Sequence, residues 1–375
     1  RWSRGLGDVY KRQVFNGETA MLAGVYGYPK SGTNLPALLN IHGGGQLADY
    51  RSCLTNAKRG YATLSIAWAG RIAATSPNDA GAGYTITGVD MQTIFDGGNF
   101  ANDIAATTDW ATLEGYHAPS RFASSNVNNL LPAAWTFDSV ESPRNNTWFL
   151  WTMAARRGLT FLEQQPEVDA DKLGVYGHSM GGKLTVMTAG TDDRVKAAAP
   201  SCGGISDRDN SPLYNATIGD SGYLMGVDCP IFFLNPSNDF HGFINDIPIS
   251  LSELSTTDWR VTSAPHHNHQ DTAAYEVATQ LWMDEHLKGG AALPESPQIQ
   301  LTLDTPSGVP SLSITADTSR TIESVEIYYT QQGEDTGETH TLQDATRRYW
   351  HSSAVIGADG SWTADVPVNS TSEPL

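Results

Sequence analysis

The stretch Leu173-Gly-Val-Tyr-Gly-His-Ser-Met-Gly-Gly-Lys183 constrains the fold more than any other part of the chain. A short apolar run leads to one hydroxyl with glycines two residues before and two residues after it. Where a strand turns sharply into a helix, side chains at those two places collide with the turn, so glycine is required. The serine between them is held in strained backbone geometry, and its hydroxyl is thrust out at the carboxyl end of the sheet. The N-terminus of the following helix favours negative charge at the same point. Ser179 is therefore read as a nucleophile, against the alternative of an ordinary serine in a tight turn. Gly181-Gly-Lys183 is read as a helix start, since the phosphate-loop pattern G-x-x-x-x-G-K-[ST] does not occur in the chain.

The flanking sequence predicts the sheet that such a turn needs. From residue 14 to about residue 290, short apolar runs alternate with helical patterns, which implies a mainly parallel sheet covered by helices on both faces. Strands are expected at Ala20–Tyr28, Ala37–Ile41, Tyr61–Trp68, Lys172–Tyr176, Val195–Ala199, Pro230–Leu234 and Trp259–Ala264. Helices are expected at Ala48–Arg59, Trp148–Gln164, Gly181–Ala189 and Ala273–Leu287, the last ended by Gly289-Gly290. Residues 70–146 break this rhythm. They are rich in Gly, Ala, Asn, Ser and Thr, with short helices expected around Asp90–Ala106 and Thr107–Gly115. An irregular insertion of this kind reads as a lid or substrate-binding wall, or as a surface excursion. Trp110 and Trp135 within it suit stacking on sugar or aromatic rings, or a place in the core.

Residues 291–297 read as a Pro-containing linker. Beyond it the apolar period becomes two: Ile299, Leu301, Leu303, then Leu312 and Ile314, then Val325, Ile327 and Tyr329, and finally Trp362, Ala364 and Val366. Turn residues separate these runs, so residues 298–375 are expected to form a small all-β sandwich. It is expected to lack a final strand, and to pack on the preceding domain or bind glycan. Residues 1–13 carry four basic residues and one acidic one on an otherwise acidic chain. They resemble a translated adapter from an environmental-DNA reading frame and are expected to be unstructured.

Composition narrows the partners. The chain has 375 residues, enough for two domains or one large one, and 39% of them are hydrophobic, which supplies a sizeable core. With 23 basic against 41 acidic residues the formal charge is −18, which repels nucleic acid and is compatible with a salt-tolerant or an extracellular setting. No apolar run reaches the roughly 20 residues of a membrane span. Cys53, Cys202 and Cys229 form no disulfide framework, and the sequence carries no cofactor motif and no Cys/His spacing for zinc.

A serine hydroxyl needs a base, and the base needs an orienting acid. On this fold the chain order is serine, then carboxylate, then histidine. Asp239 stands five residues past the strand Pro230–Leu234 and is the first choice for the acid, with Asp246 second. Three histidines follow the last strand in Pro265-His-His-Asn-His-Gln270. His269 is the first choice for the base, followed by His267 and His266. The tetrahedral oxyanion needs N–H donors. His42-Gly-Gly-Gly-Gln46, after the strand Ala37–Ile41, offers the N–H of Gly43 or Gly44, and Met180 after the serine offers the second.

With HGGG, GHSMGG, the late Asp and the late His in this order, residues 14 to about 290 resemble an α/β-hydrolase. The run Thr160-Phe-Leu-Glu-Gln-Gln-Pro-Glu-Val-Asp-Ala-Asp-Lys-Leu-Gly-Val-Tyr-Gly-His-Ser-Met-Gly-Gly182 is similar to serine esterases near the acetylxylan esterases and to prolyl-oligopeptidase-like catalytic domains. The resemblance implies Ser179 as nucleophile, Asp239 as acid, His269 as base, and Gly43 or Gly44 with Met180 as oxyanion donors. Dienelactone hydrolases share the fold but use cysteine at the elbow. The resemblance therefore implies ester hydrolysis, with small-molecule or polysaccharide esters such as acetylated xylan as substrates. A peptidase or amidase with the same triad is the alternative. Two features depart from these families: there is no N-terminal propeller, and a trailing β-sandwich is unusual for a simple esterase.

Overall fold

A computed structural model describes residues 11–15, 18–22, 24–44, 46, 48–68, 72–73, 130–132, 137–208, 217–331 and 349–369. The helices expected around Asp90–Ala106 and Thr107–Gly115, together with Trp110 and Trp135, lie outside the described residues.

Strands β1 (Lys11–Phe15) and β2 (Glu18–Leu22) form an antiparallel ribbon. Lys11, Arg12 and Gln13 were expected to be unstructured, but they are paired strand. Their backbone groups find partners at Leu22, Met21 and Ala20. The single strand expected over Ala20–Tyr28 is two, because the chain leaves this ribbon and joins another sheet as β3 (Gly24–Gly27). There follow β4 (Leu35–Ile41), the two-residue β5 (Ala48–Asp49), α1 (Tyr50–Lys58), β6 (Ala62–Ile66) and the two-residue β7 (Ile72–Ala73). Helix α1 starts two residues later than its apolar pattern suggests. Asp49 is extended, at φ −123° and ψ 122°, and its carboxylate accepts the Arg51 N–H at 2.8 Å, which makes it a cap rather than a helical residue.

Next come α2 (Thr147–Glu163), β8 (Val168–His178), α3 (Met180–Ala189), β9 (Val195–Ser201), α4 (Asp220–Leu224), β10 (Ile231–Leu234), α5 (Ile247–Glu253), β11 (Trp259–Thr262) and α6 (Ala273–Lys288). Asn146 caps α2 by accepting the Trp148 N–H. Thr272 caps α6 through Tyr275, and the Gly290 N–H closes its far end on the Asp284 carbonyl at 2.9 Å.

Seven strands make the main sheet, in the order β11-β10-β9-β8-β4-β6-β3. All neighbours are parallel except β3, which runs antiparallel to β6 at the edge. The pairs Ile41↔Gly177 and His178↔Ser201 bring the carboxyl ends of β4, β8 and β9 level with one another. Chain segments leaving those three strands thus start from one rim. The period of two divides the core between the faces. Ala37, Leu39 and Ile41 of β4 pack with Trp151, Leu159 and Leu162 of α2 and with Leu184 and Met187 of α3. Leu38 packs on the other face with Trp282, Met283 and Leu287 of α6. Each fully buried leucine, isoleucine or methionine among these contributes about 1.5–3 kcal/mol.

The C-terminal region is antiparallel. Strands β12 (Gln298–Thr302), β13 (Ser311–Thr315), β14 (Glu326–Tyr329), β15 (Trp350–Ser353), β16 (Val355–Ile356) and β17 (Trp362–Asp365) form a four-stranded sheet, β12-β13-β17-β16, and a pair, β14-β15. Ile314, Ala364 and Val366 are buried, whereas Ile299, Leu301 and Leu303 are exposed. The preceding segment is fastened to β11, where Arg260 pairs with Glu295 at 2.8 Å and donates to the Pro294 carbonyl. All three cysteines are free and buried. Among the described residues, no helix is long and apolar enough to cross a membrane.

Candidate active site

Ser179 stands between β8 and α3 with φ 58° and ψ −120°, a backbone conformation that costs a non-glycine residue about 1–3 kcal/mol. Two features hold it there. Its N–H donates to the Ser201 carbonyl on β9 at 2.8 Å, and its carbonyl accepts the Lys183 N–H at 3.0 Å. The neighbouring glycines are dictated by close approach. A Cβ at Gly177 would lie 2.3 Å from the Ile41 carbonyl oxygen, and one at Gly181 only 2.0 Å from the same atom. The end of β4 thus presses into the turn from below, and any side chain there would push the elbow off the sheet.

His269 lies on the loop between β11 and α6. Its Nε2 is 2.6 Å from Ser179 Oγ, and its Nδ1 is 3.0 and 3.1 Å from the two oxygens of Asp239. A carboxylate only accepts, so Nδ1 carries the hydrogen and Nε2 accepts from the serine hydroxyl. Asp239 sits on the loop after β10 with its side chain fully buried. Burial opposes its ionisation. The His269 ring, together with the N–H groups of Gly242 and His241 at 2.8 and 2.7 Å, outweighs this and holds the carboxyl below the usual range. The His269 ring is packed by Phe240 at 4.2 Å, by His178 at 4.9 Å and by the edge of His241 at 5.9 Å.

The other candidates stand elsewhere. His267 Nδ1 faces Gln270 Oε1 at 3.2 Å, and the His266 ring meets Tyr328 and Tyr349 of the C-terminal region. Asp246 lies at the start of α5. The glycine loop after β4 is braced by Trp68, which donates to the His42 carbonyl at 2.9 Å and stacks on its ring. The Gly43 N–H already donates to Gln46 Oε1 at 2.8 Å, so one of the two candidate glycine donors is engaged within its own loop. Met180 opens α3 directly after the serine.

Sequence reasoning passed over a second imidazole–carboxylate pair. His178 Nδ1 lies 3.1 Å from Asp271 Oδ1, and the Ser201 hydroxyl donates to the same oxygen at 2.5 Å. The available signal was the position of these residues, one residue before Ser179 and two after His269. His178, Cys202 and His269 also bring nitrogen and sulfur atoms within 4.8 Å of one another, a spacing open to a metal ion. The chemistry of the donors opposes that use. His269 has both nitrogens committed, and burial pushes the Cys202 thiol far up, so it stays protonated.

A serine in a strained strand-to-helix turn, at the carboxyl rim of a mainly parallel sheet covered on both faces, defines an α/β-hydrolase. Residues 97–260, which include Ser179 and Asp239, match the dienelactone hydrolase family. The chain thus has the α/β-hydrolase fold and carries a segment that matches the dienelactone hydrolase family. No curated protein matches it. Among solved structures it is similar to an acetyl xylan esterase from Paenibacillus sp. R4, with 17% identity over 73% of this chain and 82% of that one and a TM-score of 0.49. It is similar to acetyl xylan esterase 1 from Thermoanaerobacterium sp. JW/SL YS485, with 14% identity over 71% and 79% and a TM-score of 0.48. It is also similar to an acylaminoacyl peptidase from Pyrococcus horikoshii, with 14% identity over 76% of this chain but 43% of that one and a TM-score of 0.46.

Proposed function

We propose that the protein is a serine hydrolase that cleaves carboxylic esters through an acyl-enzyme, with Ser179 as nucleophile, His269 as base and Asp239 as orienting acid. The observation that carries this reading is the continuous line of contacts from Asp239 through His269 to Ser179 Oγ, at 3.0 and 2.6 Å. His269 Nε2 takes the hydroxyl proton as Ser179 Oγ attacks the ester carbonyl carbon. The oxyanion that forms is met by the N–H of Met180 and that of Gly44 or Gly43. His269 then gives its proton to the leaving alkoxide, and an alcohol departs. Water repeats the sequence, releasing the acid and restoring the serine. Asp239 keeps the imidazole in the tautomer that accepts at Nε2, and stabilises the imidazolium. Within this reading, residues 14–290 form the catalytic unit, 291–297 a linker and 298–375 an accessory β region.

The test uses p-nitrophenyl acyl esters, p-nitroanilides and acetylated xylan, with Ser179→Ala as control. Ester turnover should exceed anilide turnover, and the alanine variant should lose about 10³-fold or more in kcat. Near-full ester turnover by the alanine variant would overturn the serine assignment. Anilide turnover matching ester turnover would make the protein an amidase or peptidase instead.

A further inference from the structure

We propose that His178 and Asp271 form a second imidazole–carboxylate pair that positions His269 and stabilises the charge His269 acquires in the reaction. The proposal rests on the serine-hydrolase reading above, and adds to it two residues that act through the base.

The second pair matches the first in distance, although Asp239 is fully buried and Asp271 is not. Asp239 holds His269 from one side at 3.0 Å, and Asp271 holds His178 at 3.1 Å. The two rings then meet at 4.9 Å with a 41° tilt, so His269 is confined between His178 and Phe240. Asp271 is anchored independently by the Ser201 hydroxyl at 2.5 Å, on the strand whose carbonyl also holds the Ser179 N–H. A shift of Asp271 would therefore be felt at both the base and the nucleophile.

The charges have a direction. With a hydrogen on Nδ1, His178 donates to Asp271, and the carboxylate sets a negative charge beside His269. The protein around Asp271 opposes its ionisation only in part, since the side chain is 44% exposed, and the hydrogen bond and charge of His178 and the Ser201 hydroxyl hold its carboxyl below the usual range. When His269 takes the serine proton, two carboxylates face two imidazoles and the cation is stabilised. The other titratable groups around the rings are Asp239 and His241 from the loop after β10, Cys202 at the end of β9, and Tyr275 from α6. His241 donates from Nδ1 to the Cys202 carbonyl, the Tyr275 hydroxyl accepts the Ala264 N–H, and burial keeps the Cys202 thiol protonated.

The pair also has its own route to solvent. A cavity of about 620 Å³ runs between α1 and α6 and ends at His178, Ser201 and Asp271, with Asn40, Asn56 and Tyr176 along it. Ser179 is not part of its lining.

The experiment is the pH profile of kcat/KM on p-nitrophenyl acetate for wild type, Asp271→Asn, Asp271→Glu, His178→Gln and Ser179→Ala. Asp271→Asn should move the acid limb to lower pH by roughly half a unit and lower kcat about tenfold, with KM within about twofold. Asp271→Glu should restore most of the limb position. His178→Gln keeps the carboxylate, so its limb should stay at the wild-type position or move to higher pH. An Asp271→Asn limb at the wild-type midpoint, or shifts in the same direction for both pair variants, overturns the proposal. If Asp271→Asn does not fold, Asp271→Ser, which also removes the carboxylate, decides by the same limb position. Ser179→Ala separates the two levels. If it stays active, the serine-hydrolase reading fails. If it is inactive while Asp271→Asn titrates as wild type, only this inference fails.

Discussion

Lys183 Nζ lies 2.6 Å from Asp220 Oδ1, with both side chains shut away from solvent. The ammonium also donates to the Ile218 carbonyl at 2.9 Å, pairs with Asp207 at 2.9 Å and stands 5.2 Å from the Trp148 ring centre. The lysine that closes the helix start Gly181-Gly-Lys183 is a buried tie between α3 and the entry to α4. Lys183→Met leaves the Asp220 carboxylate buried without its cation and should cost about 3–5 kcal/mol in urea unfolding. Adding Asp220→Asn should recover part of that loss. A single variant as stable as wild type would contradict the tie.

The elbow glycines lead to a second expectation. In Gly181→Ala the new methyl meets the Ile41 carbonyl, and backbone cannot rotate aside as a side chain can. Helix α3 must shift and carry Ser179 with it, and a displacement near 1 Å lowers turnover by about 10²-fold. Kinetics on a p-nitrophenyl ester, alongside a melting curve, check this. Full activity in the alanine variant would mean that the elbow has slack.

Asp239 and Asp246 are separated by kinetics. Asp239→Asn should lower kcat by about 10³–10⁴-fold with little change in KM, because the amide no longer selects the Nδ1–H tautomer of His269. Asp246→Asn should leave kcat within about twofold. The reverse ranking would reassign the acid.

Stability should fall in two stages on acidification. His286 packs against Trp282 at 4.0 Å, and burial lowers its proton affinity below the usual value despite Asp258 and Glu285 nearby. The unfolded chain therefore binds that proton first, and stability declines once pH drops below about 6.5. At Asp192, burial opposes ionisation, but Arg194 and Arg156 hold the carboxyl below its usual range. Asp239 shares this direction. Their contribution is complete above the unfolded value of about 3.9 and is lost as pH falls through the lower folded values. Urea midpoints from pH 7.5 to 3 should show both stages, and His286→Gln should remove the upper one alone.

The thiols offer a direct chemical check. Burial pushes Cys53 and Cys229 up to about 12, and Cys202 higher still. Native protein should react with none of its cysteines in a thiol–disulfide exchange assay at pH 8, and with all three once unfolded. Fast labelling of the native protein would contradict the burial described.

The elbow was legible because its requirement is local: a carbonyl pressed against the turn excludes side chains, and glycine marks the places. Most strands and α2 were legible from period alone, with ends that moved by only a residue or two; β8 starts four residues earlier than expected, at Val168, and the strand expected over Ala20–Tyr28 is divided. Asp239 and His269 stood out by their distance past a strand end, and the structure brings both to Ser179. Helices α4 and α5, of five and seven residues, left no periodic trace. Helices so short hold through packing rather than propensity. The link between His178 and Asp271 joins residues 93 positions apart in the numbering, and nothing local announces it. In β12 the alternation was correct, yet Ile299 and Leu301 are exposed, because period names a face without naming what covers it.

The indole of Trp68 is fully enclosed, stacks on His42 and lies 4.6 Å from the Trp151 ring, which in turn meets Trp148 at 4.9 Å. Aromatic rings locked at fixed mutual angles give rise to near-ultraviolet circular dichroism, and lose it when packing loosens. The molecule therefore carries an optical gauge in its own core, wired at one end to the glycine loop beside Ser179. Loosening of that loop should register as a change of ellipticity in a sample holding no ligand at all.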